Sequence, residues 1–212
     1  MHIGSVLFDV DGTLLDTTEF ILSAYEHALG ALELPVPDRE TLSRTVGIPL
    51  DENYDNLAPG HTEEAMELHR AYQRERVASV PAFPGAVEVL TMLKDAGIPV
   101  AAVTSRSNRT SVKTLEAARI DHLLGAIVSA EDAPALKPDP APLRRAHELL
   151  GSPAGPVVMV GDAHQDIEAG KAFNATTVAA TYGFHGRAVL DTNPDYVIDA
   201  ISDLPAVLDI RS

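Results

Sequence analysis

The chain has 212 residues, 45% of them apolar, enough for one large core or a core with a smaller inserted module. A formal net charge of −15 argues against unassisted binding to nucleic acid or to an anionic membrane surface, because both repel a like-charged partner, and leaves small ligands as the expected class. With no cysteine there is no disulfide, no thiolate zinc site and no thiol nucleophile, which fits a reducing compartment.

The first element in chain order is "VLFDVDGTLLDT", Val6 to Thr17. Val6, Leu7 and Phe8 read as the end of a strand buried on both faces, as parallel strands in α/β sheets are. Asp9 and Asp11 follow at once, although an ionised carboxylate out of water costs several kcal/mol unless it is paired, hydrogen-bonded or metal-bound. The same carboxylates occupy the place of the apolar segment of a signal peptide. No run approaches the ~18 apolar residues of a membrane span, so a cytoplasmic location is expected. "NRT" at Asn108 and "NAT" at Asn174 match the glycosylation pattern, but without a secretion signal they read as chance matches.

From Thr18 to Ser79 the pattern is helical with no convincing strand. Ile21, Tyr25, Ala28, Leu29 and Leu32 share one face, and "HTEEAMELHRAYQRERVASV" reads as a second long helix. Between them "TVGIPL", Thr45 to Leu50, breaks the periodicity with Gly47 and Pro49. From Phe83 onward helices and strands alternate: a helix over 85–96, the strand "IPVAAVT", a helix over 107–118 and the strand "GAIVS". A helix over 141–150, the strand "PVVMVG", a helix over 164–173, the strand "TTVAA" and finally "DYVID" complete the series. Such alternation predicts an α/β fold with a doubly wound parallel sheet. The expected organisation is an α/β core, residues 1–15 and 83–212, with an all-helical cap, residues 16–82, joined near Asp16 and in "VPAFPG".

Ligands of open α/β sheets sit beyond the carboxyl ends of the strands. Asp9 and Asp11 follow the first strand, Thr104 and Ser105 the second. Lys137 comes on the loop after the third, and Asp162, with Asp166 one helical turn later, after the fourth. Four carboxylates, a hydroxyl and a lysine at four strand ends make a specific constellation. Asp9 and Asp162 offer the hard oxygens that Mg²⁺ prefers. With Mg²⁺ and Lys137 present the site accepts a phosphate dianion, whose oxygens Thr104 and backbone N–H groups can hold. Asp9 can then attack phosphorus, and Asp11 can shuttle the proton if its neighbours raise its pKa. Gly12 permits a close backbone approach that a side chain would block.

"DVDGTLLDT", "VTS", "LKPDP" and "GDAHQD" stand in the order and strand-end positions of the four motifs of the haloacid dehalogenase superfamily. The chain resembles its capped phosphatase branch, close to phosphoglycolate phosphatase-like members, over nearly its whole length. The resemblance implies that Asp9 is the nucleophile and Asp11 the general acid and base. It implies Thr104 and Lys137 as phosphate binders, and Asp9, Asp162 and the Asp11 carbonyl as Mg²⁺ ligands with Asp166 in support. An Asp at position 11 is similar to the phosphatases and sugar phosphate mutases rather than to the dehalogenases, phosphonatases and ion-pumping ATPases. The expected substrate is the phosphate monoester of a small metabolite. A β-phosphoglucomutase-like mutase and an inorganic pyrophosphatase are the enzymatic alternatives.

Competing readings of single residues are weaker than the set. The spacing of Asp9 and Gly12 does not fit a calcium-binding EF-hand loop. Thr104 alone would be a helix cap, and Asp166 alone a carboxylate favoured by the helix dipole. Lys137 alone would be a solvated charge, but Pro138 biases it to an extended conformation at the sheet edge. "TVGIPL", with Gly47, resembles the substrate-facing loop of phosphoglycolate phosphatase-like caps. Arg44 just before it and Arg106 after "VTS" are candidates for an anionic substrate tail, and His164 is expected to cap or face solvent beside Asp162. A phospho-acceptor signalling domain of the response-regulator type uses similar groups. It lacks the Asp-x-Asp pair and the helical insertion.

Overall fold

The computed structural model describes residues 3–209. Six strands form one sheet: β1 (Ser5–Phe8), β2 (Val100–Val103), β3 (Ala126–Val128), β4 (Val157–Gly161), β5 (Thr176–Ala180) and β6 (Tyr196–Ile198). Their order is β3-β2-β1-β4-β5-β6, and every pairing is parallel. β1, β2 and β4 are buried at every residue, the environment that their uninterrupted apolar runs demand. The strand order reverses between β1 and β4, and this is where an open sheet leaves a crevice for ligands.

Helices α1 (Thr18–Ala31), α2 (Arg39–Ser43), α3 (Leu50–Leu57) and α4 (Thr62–Arg76) intervene between β1 and α5 (Ala86–Asp95). The long helix expected from "HTEEAMELHRAYQRERVASV" is α4 followed by a separate 3₁₀ turn, Val77–Ser79. The Asp38 side chain caps α2 by accepting the Thr41 N–H at 2.7 Å. Leu15 and Ala82 form an antiparallel bridge, flanked by Asp16 N–H to Pro81 O and Phe83 N–H to Leu14 O, each 3.0 Å. The chain therefore leaves and re-enters the sheet through two adjacent, mutually hydrogen-bonded connections. Tyr25, Leu29 and Tyr54 of the helical block belong to the same buried apolar cluster as Val6 and Phe8.

The remaining helices, α6 (Asn108–Ala117), α7 (Ala141–Leu149), α8 (His164–Ala172) and α9 (Leu204–Val207), complete the alternation. The bounds of α6, α7 and α8 fall within a residue or two of the periodicity because long, strongly patterned segments leave little freedom of assignment, whereas the four-residue α9 was not expected. α8 lies unusually close to the sheet: a Cβ on Gly170 would come within 2.7 Å of the Thr177 methyl. Among the described residues no helix is long and apolar enough to cross a membrane.

Candidate active site

Asp9, Thr104 and Asp162 each stand one residue beyond the end of β1, β2 and β4. The sheet holds two of them directly, since Asp9 N–H donates to Val160 O and Thr104 N–H to Val128 O, both at 2.9 Å. Lys137 reaches in from the loop after β3. Its Nζ donates to Asp9 Oδ1 at 2.6 Å, Asp166 Oδ1 at 2.6 Å and Val103 O at 2.9 Å, which uses all of its hydrogens. At 8% exposure Lys137 is no surface charge. The second oxygen of Asp166 accepts the Ala163 N–H at 3.0 Å at the start of α8.

Oxygens of Asp9, Asp162 and Asp166, all buried, lie within 4.8 Å of one another. Three buried carboxylates at that spacing repel, and the protonation equilibria record it. Burial pushes Asp9 up to about 7, Lys137 opposing the shift and Asp166 and Asp11 adding to it. Burial also raises Asp162 well above the carboxylate range, reinforced by Asp9 and Asp166, although the Phe184 N–H at 2.7 Å favours its charged form. Burial works against the charge of Lys137, but Asp166 and Asp9 outweigh it and hold the ammonium above its ordinary value. The donor set fits a small hard cation: carboxylate oxygens, close together, with one lysine for three acids.

Two glycines make the packing around Asp162 possible. Gly12, at φ +82°, leaves no room for a Cβ, which would sit 2.5 Å from Asp162 Oδ2. At Gly183 a Cβ would meet the Asp162 Cβ at 2.4 Å. Gly12, expected among the substrate-binding residues, thus acts by shaping the backbone beneath Asp162 and does not line the cavity described next.

Asp11 stands apart from the acidic cluster. Its Oδ1 accepts Arg106 Nη1 at 2.9 Å, and the Arg106 backbone N–H donates to Thr104 Oγ1 at 3.1 Å. The guanidinium lies 5.3 Å from the Phe20 ring centroid, while its Nη2 is buried without a partner. Asp11 and Arg106, with Asp9, Thr104, Ser105 and Lys137, open onto a cavity of about 470 Å³. Its opposite wall comes from the helical block and includes Val46 to Leu50, so the Gly47 loop does face the strand ends. Asn53 of α3 braces that loop from beneath, donating from Nδ2 to Thr45 O and the Tyr25 hydroxyl, both at 2.9 Å.

The structure does not bring Arg44 to the site. Its guanidinium pairs with Glu40 one helical turn away at 2.6 Å, largely exposed, and it is no part of the cavity. His164 is half-buried and lies edge-on to His185, with ring centroids 6.1 Å apart. Arg70, Gln73, Arg109, Lys113, Gln165 and His185 also line the cavity, and sequence reasoning missed all of them. Polar residues on amphipathic helices look alike whether they face solvent or a ligand.

The profile of the haloacid dehalogenase-like hydrolase family matches residues 6–180. The chain belongs to this family. It is an enzyme of the phosphatase branch. A protein of Bacillus mycoides named pyrophosphatase PpaX is 33% identical over 210 residues, 98% of each chain. A solved structure from Clostridium acetobutylicum, a predicted phosphatase, shares 25% identity with a TM-score of 0.84 over 99% of this chain and all of that one. A structure from Haemophilus somnus, a predicted phosphoglycolate phosphatase, reaches a TM-score of 0.87 at 23% identity over 97% of this chain and 98% of that one, a likeness of fold.

Proposed function

We propose that the protein is a Mg²⁺-supported phosphatase that hydrolyses phosphate esters of small metabolites through an aspartyl phosphate on Asp9. The observation that carries this reading is the buried grouping of Asp9 and Lys137, 2.6 Å apart at the foot of a cavity, with Asp11 and Thr104 on the same floor. Asp9 and Asp162, with the Asp11 carbonyl and with Asp166 in support, would hold the cation. When bound, Mg²⁺ neutralises the carboxylates and the phosphate oxygens.

In the first step an oxygen of Asp9 bonds to phosphorus, the bond from phosphorus to the ester oxygen breaks, and Asp11 gives that oxygen its proton. Arg106 holds Asp11 by Oδ1 and fixes the orientation of its carboxyl group. In the second step Asp11 takes a proton from water as the water oxygen attacks phosphorus. Asp9 is released and inorganic phosphate leaves. Thr104 holds the phosphoryl oxygens while Lys137, bonded to Asp9, sets its positive charge beside them, and such positioning and charge neutralisation is where most of the work of phosphoryl transfer lies.

Pyrophosphate is the second reading, favoured by the full-length similarity to a pyrophosphatase. Its chemistry is the same, with phosphate as the leaving group. The deciding experiment is a phosphate-release screen with Mg²⁺ over phosphoglycolate, sugar phosphates, nucleotides and pyrophosphate. Continuous release from a small ester, abolished by chelator and restored by Mg²⁺, supports the first reading, and release confined to pyrophosphate supports the second. Isomer conversion without net release would mean a mutase, and a single stable phosphorylation would mean a signalling domain.

A further inference from the structure

The chain carries 31 Asp and Glu against 16 Lys and Arg, so an arginine or lysine side chain has many carboxylates to meet. Arg74 pairs with Glu67 at 2.8 Å and Arg106 with Asp11 at 2.9 Å. Arg70, Arg109 and Lys113 make no ion pair among the described residues, and all three line the cavity over Asp9.

Their placement follows from helix geometry. Arg70, Gln73, Arg74 and Val77 recur at the spacing of one face of α4 and its 3₁₀ extension, and Arg109 and Lys113, four residues apart, share one face of α6. α6 packs against the Val77–Ser79 turn that ends α4, which brings the two faces together over the cavity. Arg106 adds the buried Nη2 without a partner, a donor left open in a wall already rich in positive charge. His69, buried on the same wall, is pushed down to about 3 by burial and then by the charges of Arg106 and Arg70, so both guanidinium groups bear on one region.

Among the described residues Arg70, Arg109 and Lys113 bond to none of Asp9, Asp11, Thr104 and Lys137, and Arg106 bonds to Asp11 through Nη1 while its Nη2 stays open. A cavity of about 470 Å³ also exceeds what one phosphoryl group fills, being within the roughly 300–1,000 Å³ of small-molecule pockets. We propose that Arg70, Arg109, Lys113 and the open Nη2 of Arg106 form a second anion subsite, so that the preferred substrates are small phosphate esters or anhydrides carrying a second phosphate or carboxylate group. This rests on the phosphatase reading and narrows its substrate class. A guanidinium or ammonium that is hydrated in the free enzyme gives up little when a dianion arrives, whereas a cation already paired in the protein would have to break that pair.

Two measurements on the whole chain with Mg²⁺ test the subsite. In the first, kcat/KM is compared for butyl phosphate, butanediol bisphosphate, phosphooxybutyrate and pyrophosphate. In the second, calorimetry compares the non-hydrolysable butylphosphonate, butanediphosphonate and phosphonobutyrate. The wild type should favour doubly anionic ligands by about tenfold or more in both, as charge-assisted hydrogen bonds require. The double variant Arg109→Met/Lys113→Met should lose most of that preference through KM, and Arg70→Met a part of it. Comparing the diphosphonate with the phosphonocarboxylate shows whether the second anion is phosphate or carboxylate. No preference in the wild type, or a preference that survives in folded variants, overturns the subsite. If binding shows the preference while no ester or anhydride is hydrolysed, the subsite stands and the phosphatase reading fails. If butyl phosphate is turned over as well as the doubly anionic esters, the reading stands and the subsite fails.

Discussion

The floor and the roof of the cavity hold their charges in opposite ways. At the strand ends Lys137, Asp9 and Asp166 are buried, and each cation-carboxylate contact is 2.6 Å. On the roof and at the mouth, Arg70, Arg109 and Lys113 are exposed and without an ion pair among the described residues. Burial explains the difference, because a desolvated ion must be paired inside the protein whereas a hydrated one can wait for a ligand. The floor is therefore fixed before substrate arrives, as chemistry demands. On the roof, among the described residues, only Arg74 is paired, with Glu67 at 2.8 Å, and Arg70, Arg109 and Lys113 keep their charges available to a ligand.

The sharpest way to break this contrast is at Asp9. Asp9→Asn keeps the shape and an acceptor for Lys137 but removes the nucleophile, so turnover should fall on the order of 10⁴-fold or more. Phosphate release by the purified variant checks this, and a fall of less than tenfold would remove Asp9 from its assigned role. Next in size is Lys137→Met, which leaves Asp9 and Asp166 buried without their cation. In chelator at neutral pH the loss should be about 3–5 kcal/mol of folding stability, read from urea unfolding. Arg109→Met, on the exposed wall, should stay within about 0.5 kcal/mol. Equal losses at both positions would erase the distinction drawn between floor and roof.

A third test uses pH. Asp9 has a folded pKa raised to about 7, and Asp162 is raised as well, so folding takes up protons at these groups. The contribution of Asp9 is fully present below the unfolded carboxylate value of about 4 and is lost as pH rises through about 7, and that of Asp162 has the same sign. In chelator this contribution makes the protein less stable at pH 8 than at pH 5.5. Adding Mg²⁺ should raise Tm more at pH 8, where the carboxylates are free of protons. An equal Mg²⁺ effect at the two pH values would place the cation elsewhere. The smallest effect is expected at Arg44, which is exposed and paired with Glu40: Arg44→Ala should change kcat/KM less than twofold for any substrate, an expectation tied to the weak energetics of surface ion pairs. A larger change specific to one substrate would show that the loop before Gly47 moves Arg44 inward.

How much of this was legible depended on whether a residue's role was local or relational. Asp9 and Asp11 could be singled out because carboxylates at the end of a doubly buried strand violate the burial rule, and Thr104, Lys137 and Asp162 because strand ends in such sheets converge. Arg44 misled because proximity in sequence to the Gly47 loop says nothing about which side of a short helix faces inward. Gly12 was expected to bind substrate, whereas it leaves room for Asp162 and Phe184, a role that required knowing what packs against it. Arg109 and Lys113 carried no signal, since the same pair on any amphipathic helix would read as a solvated face.

The sequence by itself therefore determined the alternation of strands and helices, the acidic and basic residues at the strand ends, and the helical insertion after the first strand. Those follow from periodicity and from the cost of burying charge, both of which act over a few neighbouring residues. Only the tertiary structure decided that Lys137 bridges Asp9 and Asp166, that Arg106 holds Asp11, and that one face of α4 meets one face of α6 above them. These are contacts between segments far apart in the chain, and their partners are selected by packing around a shared core, which no local pattern records.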